Sequence, residues 1–204
     1  PDGQPFPENL DTTRFDGGAV WRMPIVAGGV LAVPGSGTNH RPTHIFGPVV
    51  ENDHHRTFFG EASLRRTDAR HTWVVGGAVQ TDRYRSRDVP RFDYTHVVPG
   101  VFAQDDVRVT PRLMVSGSAR VDAHNEFGTF VSPRISALVK PDEAWTIRVS
   151  TGRGYFTPTP LTEETEATGL SGVAPLGELR AERADNISGD VTWTRRPVDL
   201  TPTI

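Results

Sequence analysis

Few side chains in this sequence are suited to chemistry. Of the 7 histidines, His40, His44, His54 and His55 crowd one stretch, and imidazoles are common metal ligands and general bases. His54 and His55 are adjacent, however, and successive side chains of an extended chain point to opposite sides, so the pair cannot close on one ion. This stretch reads as a solvated loop, with no metal site. Glu163, Glu164 and Glu166 could meet a cation together with loop carbonyls, but such a run is better read as a soluble loop face. The absence of cysteine removes thiolate nucleophiles, disulfides and cysteine-held metals. The chain carries no G-x-S-x-G, no phosphate-binding loop and no H-E-x-x-H, and PGSGT at Pro34–Thr38 is a flexible bend. No catalytic residue and no cofactor are expected.

A second set of polar residues is patterned by position. Residues Leu113–His124 read LMVSGSARVDAH. Val115, Gly117, Ala119, Val121 and Ala123 fall on one face of a strand, while Ser116, Ser118, Arg120, Asp122 and His124 fall on the other. Glu61, Asp106, Arg134, Arg148 and Asp190 occupy equivalent wet positions in neighbouring segments. These charges could pair across strands or line a water-filled passage.

The elements that position them are all strands. Clear alternation also covers Phe58–Arg65, His71–Asp82, His96–Val109, Thr129–Lys140, the segment from Trp145, and Ile187–Thr194. Weaker patterns at Phe15–Trp21 and Gly29–Phe46 bring the total to about nine strands. Thr162–Thr168 could form one helical turn at most. The connections at Arg65–Arg70, Thr110–Arg112, Lys140–Ala144 and Arg195–Asp199 are short. Those at Arg85–Thr95 and Tyr155–Arg183 are long, with a compact exception at Asn125–Gly128. Trp21, Trp73, Trp145 and Trp193 each stand beside a short turn. Amphipathic rings at one level suggest an interfacial girdle, with Phe92, Tyr94, Tyr155 and Phe156 as candidates for the opposite one.

Two all-β architectures share this alternation. In a soluble sandwich the dry face packs against a second sheet; in a membrane barrel it faces lipid and the wet face lines the lumen. A dry face of Gly, Ala and Val would pack a poor core yet suits fluid lipid, so the pattern favours the barrel. The alternative is a soluble secreted β-sandwich used as a binding or structural module; a barrel enzyme is a third reading. The net charge of -3 and the scattered arginines argue against a nucleic-acid partner. No stretch approaches the ~20 apolar residues of a membrane-spanning helix, but a spanning strand needs only about 9–11 residues.

Three segments, QDDVRVTPRLMVSGSARVD (Gln104–Asp122), FVSPRISALVKPDEAWTIRVSTGRGYFTPTPLTEE (Phe130–Glu164) and LGELRAERADNISGDVTW (Leu176–Trp193), together resemble the barrel of TonB-dependent outer-membrane receptors. That family shows in order a QD-x-W strand, a TPR-type turn, an SPR strand, a KP turn, a GRGF-x-x-P strand end and an L-x-P-E-R-S-x-N segment. Val107 replaces the tryptophan and Ala181 the proline.

The resemblance implies an antiparallel up-and-down transmembrane β-barrel in the bacterial outer membrane, of which this chain would supply about nine of some 22 strands. It implies import of a scarce nutrient, such as a ferric siderophore or cobalamin, energised by the TonB coupling complex through a plug domain that is expected outside this chain. Partners would therefore be outer-membrane lipid, the coupling complex and a nutrient chelate. In such receptors outer loops meet the ligand, which nominates Arg91, Phe92, Tyr94, Tyr155, Phe156, Glu163 and Glu164. Arg153 and the Glu182-Arg183 pair, on either side of the longest loop, are expected to tie that loop to the barrel rim. The end at Pro202-Thr203-Ile204, without a terminal aromatic, suggests an internal piece of a longer receptor.

Overall fold

A computed structural model describes residues 7–25, 28–160, 169–195 and 198–200, the side chains of 195 and 198–200 excepted. Glu163 and Glu164, and the helical turn considered at Thr162–Thr168, lie outside these residues. Among the described residues no helix is long and apolar enough to cross a membrane.

The residues form one antiparallel meander whose order in space is its order in sequence: β1(Glu8–Ile25), β2(Gly29–Phe46), β3(Val49–Thr67), β4(His71–Ser86), β5(Tyr94–Thr110), β6(Leu113–His124), β7(Gly128–Val139), β8(Trp145–Phe156), β9(Glu182–Arg195) and the short β10(Val198–Leu200). The weak Gly- and Pro-containing segments at the start become full strands because each finds a long partner. β1 and β2 pair from Glu8↔Phe46 to Ile25↔Gly29.

β3 begins nine residues before the alternation at Phe58 suggests, since Val49 to Thr57 also pair with β2 and β4. His54 and His55 are thus strand residues, not loop residues. Polar composition hid them, because a strand wet on one face and rimmed by water above the apolar band has no hydrophobic alternation to display. Their opposite directions are as expected: His55 bonds Asp82 at 2.6 Å, and His54 bonds Asn39 at 2.6 Å.

The sheet has two unlike faces. At adjacent positions of β6, Val121 is 38% exposed and Asp122 only 2%. The same contrast runs across the sheet, with Val101, Val131, Ile135, Val149 and Ile187 open to the outside and Glu51, Tyr84, His96, His124 and Phe130 buried on the other side. A twisted sheet of this width curls, so its concave face is enclosed while its convex face is not. The described residues contain no second sheet against the apolar face, and the sandwich reading has nothing to supply its core.

Turns gather at one end. Residues 68–70, 111–112 and 140–144 join β3 to β4, β5 to β6 and β7 to β8 there. In the first of these, Asp68 accepts the backbone N–H groups of Arg70 and His71, a local Asx-type cap that makes the reversal compact. The opposite end carries residues 87–93, 157–160 and 169–181. It also carries two tight links, at 47–48 and 125–127.

Candidate functional site

The sheet register builds the inner wall row by row. Because paired residues share a face, the pairings Glu61↔Ala78, Ala78↔Gly100 and Gly100↔Asp122 place Glu61 and Asp122 on one inner row. Asp106 opens a row of serines through Ser116, Ser136, Ser150 and Ser188. Arg134 and Arg148 line one hollow of about 280 Å³ together with Gln104 and Ser118, and Asp190 is the register partner of Arg148. All seven polar residues nominated for the lumen therefore share the inner face.

One tight charge pair stands among them. Arg120 Nε donates to both carboxylate oxygens of Asp122, at 2.7 and 2.9 Å. The space for it comes from Gly100, where a Cβ would lie 2.1 Å from Asp122 Oδ1. The pair lies along one strand, two residues apart, and not across two.

At the loop end the inner wall turns aromatic. His55, Tyr84, Tyr94, His96 and His124 follow one another across β3 to β6, with ring centroids 6.0, 5.7, 4.6 and 4.7 Å apart. His124 Nδ1 accepts the backbone N–H groups of Glu126 and Phe127. Its proton therefore sits on Nε2, which is buried with no hydrogen-bond partner among the described residues. Nothing in the composition marks this wall, but continuing the period-2 alternation of the apolar segments upward would have assigned every one of its members to the wet face.

The long connection between β8 and β9 folds back over that wall. Its 3-10 turn Leu170–Gly172 presents two backbone N–H groups to the Glu51 carboxylate, from Leu170 at 2.8 Å and Ser171 at 2.7 Å. Gly169 makes the approach possible, since its φ is 76° and a Cβ there would press on Glu51 and Phe46 at 3.0 Å. Leu170 completes a buried cluster with Tyr84, Val89, Phe92 and Tyr94. Arg91 donates to the Val173 carbonyl at 2.7 Å and lies 4.9 Å over the Phe92 ring. Beneath the connection is a hollow of about 470 Å³ bounded by Arg91, Tyr94, His96, Glu126 and Phe127 among others.

Several nominated residues take other places. Phe92 and Tyr94 are buried in the inner cluster, so they do not face lipid as outer-girdle residues. Apolar burial against Leu170 outcompetes the membrane boundary for these rings. Tyr155 stacks on buried Phe130 at 4.0 Å, while Phe156 is exposed. Outward aromatics at this level come instead from Phe15 and Phe58. Arg153 ties to Asp185 at 2.7 Å, not to Glu182 or Arg183, because the β8–β9 register sets Arg153 opposite Asp185. Arg183 lies 5.7 Å over the Phe130 ring. The four tryptophans all fall on the apolar face beside the short turns, and Trp145 and Trp193 are register partners with rings 6.2 Å apart.

The family described as TonB dependent receptor-like, beta-barrel matches residues 8–201. The chain belongs to the TonB-dependent receptor family. Members of this family are outer-membrane β-barrels that transport and do not catalyse. The receptor chain is similar in fold to the siderophore receptor PirA from Pseudomonas aeruginosa, with a TM-score of 0.73 and 16% identity over 92% of this chain and 37% of that one. It is similar to PirA from Acinetobacter baumannii, with a TM-score of 0.72, 12% identity and coverage of 94% and 34%. The ferric yersiniabactin uptake receptor FyuA from Yersinia pestis gives a TM-score of 0.66, 15% identity and coverage of 98% and 36%. The receptor chain thus spans about a third of the length of these structures. No curated protein matches it.

Proposed function

We propose that this chain forms about nine strands of the barrel of an outer-membrane receptor that imports a scarce, bulky nutrient chelate, a ferric siderophore being the leading class and cobalamin the second. In this reading the remaining strands and a plug complete the barrel, and the TonB complex energises passage through the plug. The observation that carries it is the division of one sheet into a lipid-compatible outer face and a polar inner face whose loop end is walled by aromatic rings and histidines. Such a wall suits a large, flat, partly aromatic chelate, which can stack on rings and accept hydrogen bonds from imidazole. The siderophore receptors of similar fold support the nutrient class.

The test is uptake by cells with and without the full-length protein. Radiolabelled ferric siderophores and cobalamin are supplied under starvation, with and without a protonophore. The expected result is uptake of one chelate that requires both the protein and the proton gradient. Equal uptake by deletion and parent strains for every chelate, or recovery of the protein outside the outer-membrane fraction, would overturn the proposal.

A further inference from the structure

Above the apolar band, the outer face of β2 to β4 carries a patch of positive charge that the transport reading does not use. Parity puts Arg41 on the same face as Gly35 and Gly37, and Arg56 and Arg83 on the same face as Phe58 and Val79. Arg56 and Arg83 are direct register partners. Like charges set opposite one another on neighbouring strands destabilise a sheet. Arg56 donates to His54 Nε2 at 2.8 Å, an uncharged acceptor that leaves the guanidinium charge unbalanced. On the same face Asp11 stands opposite Thr43, one step toward the loops from Arg41, and Asp93 is engaged by Arg85 at 3.5 Å. Among the described residues Arg41, Arg56 and Arg83 have no ion-pair partner, and all three are exposed.

Their height is informative. On β3 the outward positions run Arg56, Phe58, Gly60, Ala62, Leu64, Arg66. Ten residues of strand rise about 33 Å, or about 24 Å along the normal at a tilt of about 45°, which matches an apolar band about 25 Å tall. Arg56 and Arg66 therefore bracket the hydrocarbon, and the Arg41, Arg56, Arg83 group stands at headgroup level on the side of the long loops. An open trough of about 580 Å³ runs between Phe15 and Phe58, with Gly17 and Gly37 in its floor and Asp16, Arg56 and Arg83 also among its lining residues. Phe15 is 70% and Phe58 49% exposed.

We infer that this patch binds the phosphate groups of an outer-leaflet glycolipid, with Arg41, Arg56 and Arg83 as the phosphate ligands and an acyl chain lying along the trough. Guanidinium forks match phosphate oxygens in bidentate geometry. A phosphate shared by Arg56 and Arg83 relieves their repulsion, and the apolar trough distinguishes a lipid from a free anion. The inference rests on the outer-membrane reading, which sets the long-loop end in the outer leaflet.

The experiment compares the full-length receptor with its Arg41→Gln/Arg56→Gln/Arg83→Gln variant, purified from outer membranes in mild detergent. Bound lipopolysaccharide is counted by native mass spectrometry, and again after loading delipidated protein with lipopolysaccharide or its dephosphorylated form. The expected result is retention by the parent, at least about tenfold less by the variant, and at least about tenfold weaker loading of the parent with the dephosphorylated form. Arg66→Gln, on the same face at the opposite level, should retain the parental amount. Heat-modifiable gel mobility reports folding; if the triple variant fails it, Arg56→Gln and Arg83→Gln singly are judged by the same criterion.

Equal retention by a folded variant, equal loading of the dephosphorylated lipid, or displacement by millimolar inorganic phosphate alone would overturn the lipid site. A parent protein that transports from the outer membrane yet carries no lipopolysaccharide removes this inference only. A parent protein absent from the outer membrane removes the receptor reading as well.

Discussion

Glu51 and Leu170 are separated by 119 residues, yet the Glu51 carboxylate accepts the Leu170 backbone N–H at 2.8 Å in a buried setting. With the Ser171 N–H and hydroxyl on its other oxygen, this one side chain pins the β8–β9 connection over the aromatic wall. A carboxylate is suited to the task because it accepts several hydrogen bonds and faces the donor end of a tight turn.

Replacing Glu51 with alanine should leave the buried Leu170 N–H without an acceptor, at about 1–3 kcal/mol, while the Ser171 N–H, on an exposed residue, can turn to water. The barrel strands do not depend on it, so the effect should be local. Limited proteolysis should cut the variant within 169–181 faster than the parent, with heat-modifiable mobility retained.

Gly100 faces Asp122 so closely that any side chain collides with the Arg120–Asp122 pair. Gly100→Val should destabilise the folded barrel by about 1–3 kcal/mol, the usual cost of forcing extra atoms into an occupied site. Gly117, on the outer face, has nothing within 4 Å of its would-be Cβ. Gly117→Val should be tolerated, and urea unfolding of both variants checks the contrast.

The orientation of the sheet predicts an asymmetry on adjacent rows of β6. Val121→Arg places a charge in lipid near mid-depth and should cost about 2–4 kcal/mol. Ser118→Arg adds the same charge to the wet lumen and should cost less than about 1 kcal/mol. Similar losses for both in folding titrations into bilayers would mean that the apolar face is not in hydrocarbon.

All four tryptophans lie on that face at the short-turn end. In bilayers containing brominated lipids, fluorescence should be quenched more by bromines near the headgroup than by bromines at the chain ends. The reverse order would place the rings at mid-membrane and remove the girdle.

Asp68 lies in a solvent-exposed turn, and the backbone N–H groups of His71 and Arg70 hold its carboxyl below the usual carboxylate range. Its folded pKa is lower than its unfolded one, ~3.9. The stabilisation it gives the turn is therefore complete above that value and is lost as pH falls through the folded pKa. Carboxyl NMR should show the midpoint below ~3.9, and Asp68→Ala should remove the protection of the Arg70 and His71 amides, relative to their intrinsic exchange rates, that the parent loses as Asp68 protonates.

How much of this was legible beforehand depended on the range of the interaction. Leu113–His124 announced both its conformation and its faces, because alternation with period 2 is written in consecutive residues. Val49–Thr57 announced neither, since its strand state depends on hydrogen bonds to β2 and β4 and its outward side chains meet headgroup and water, not hydrocarbon. Phe92 and Tyr94 looked like membrane-boundary aromatics by level alone; the buried partner that draws them inward, Leu170, comes from a distant connection.

By itself, then, the chain determined its all-β class, the two faces of its central strands, the level of its tryptophans and the family it resembles, all of which follow from spacing within a strand or from short motifs beside turns. Only the tertiary structure decided that Arg153 meets Asp185, that five rings line one wall, that Glu51 holds a turn 119 residues away and that Arg56 stands opposite Arg83. Those relations depend on strand register and loop return, which are set by hydrogen bonds and packing between segments far apart along the chain, and no local pattern carries them.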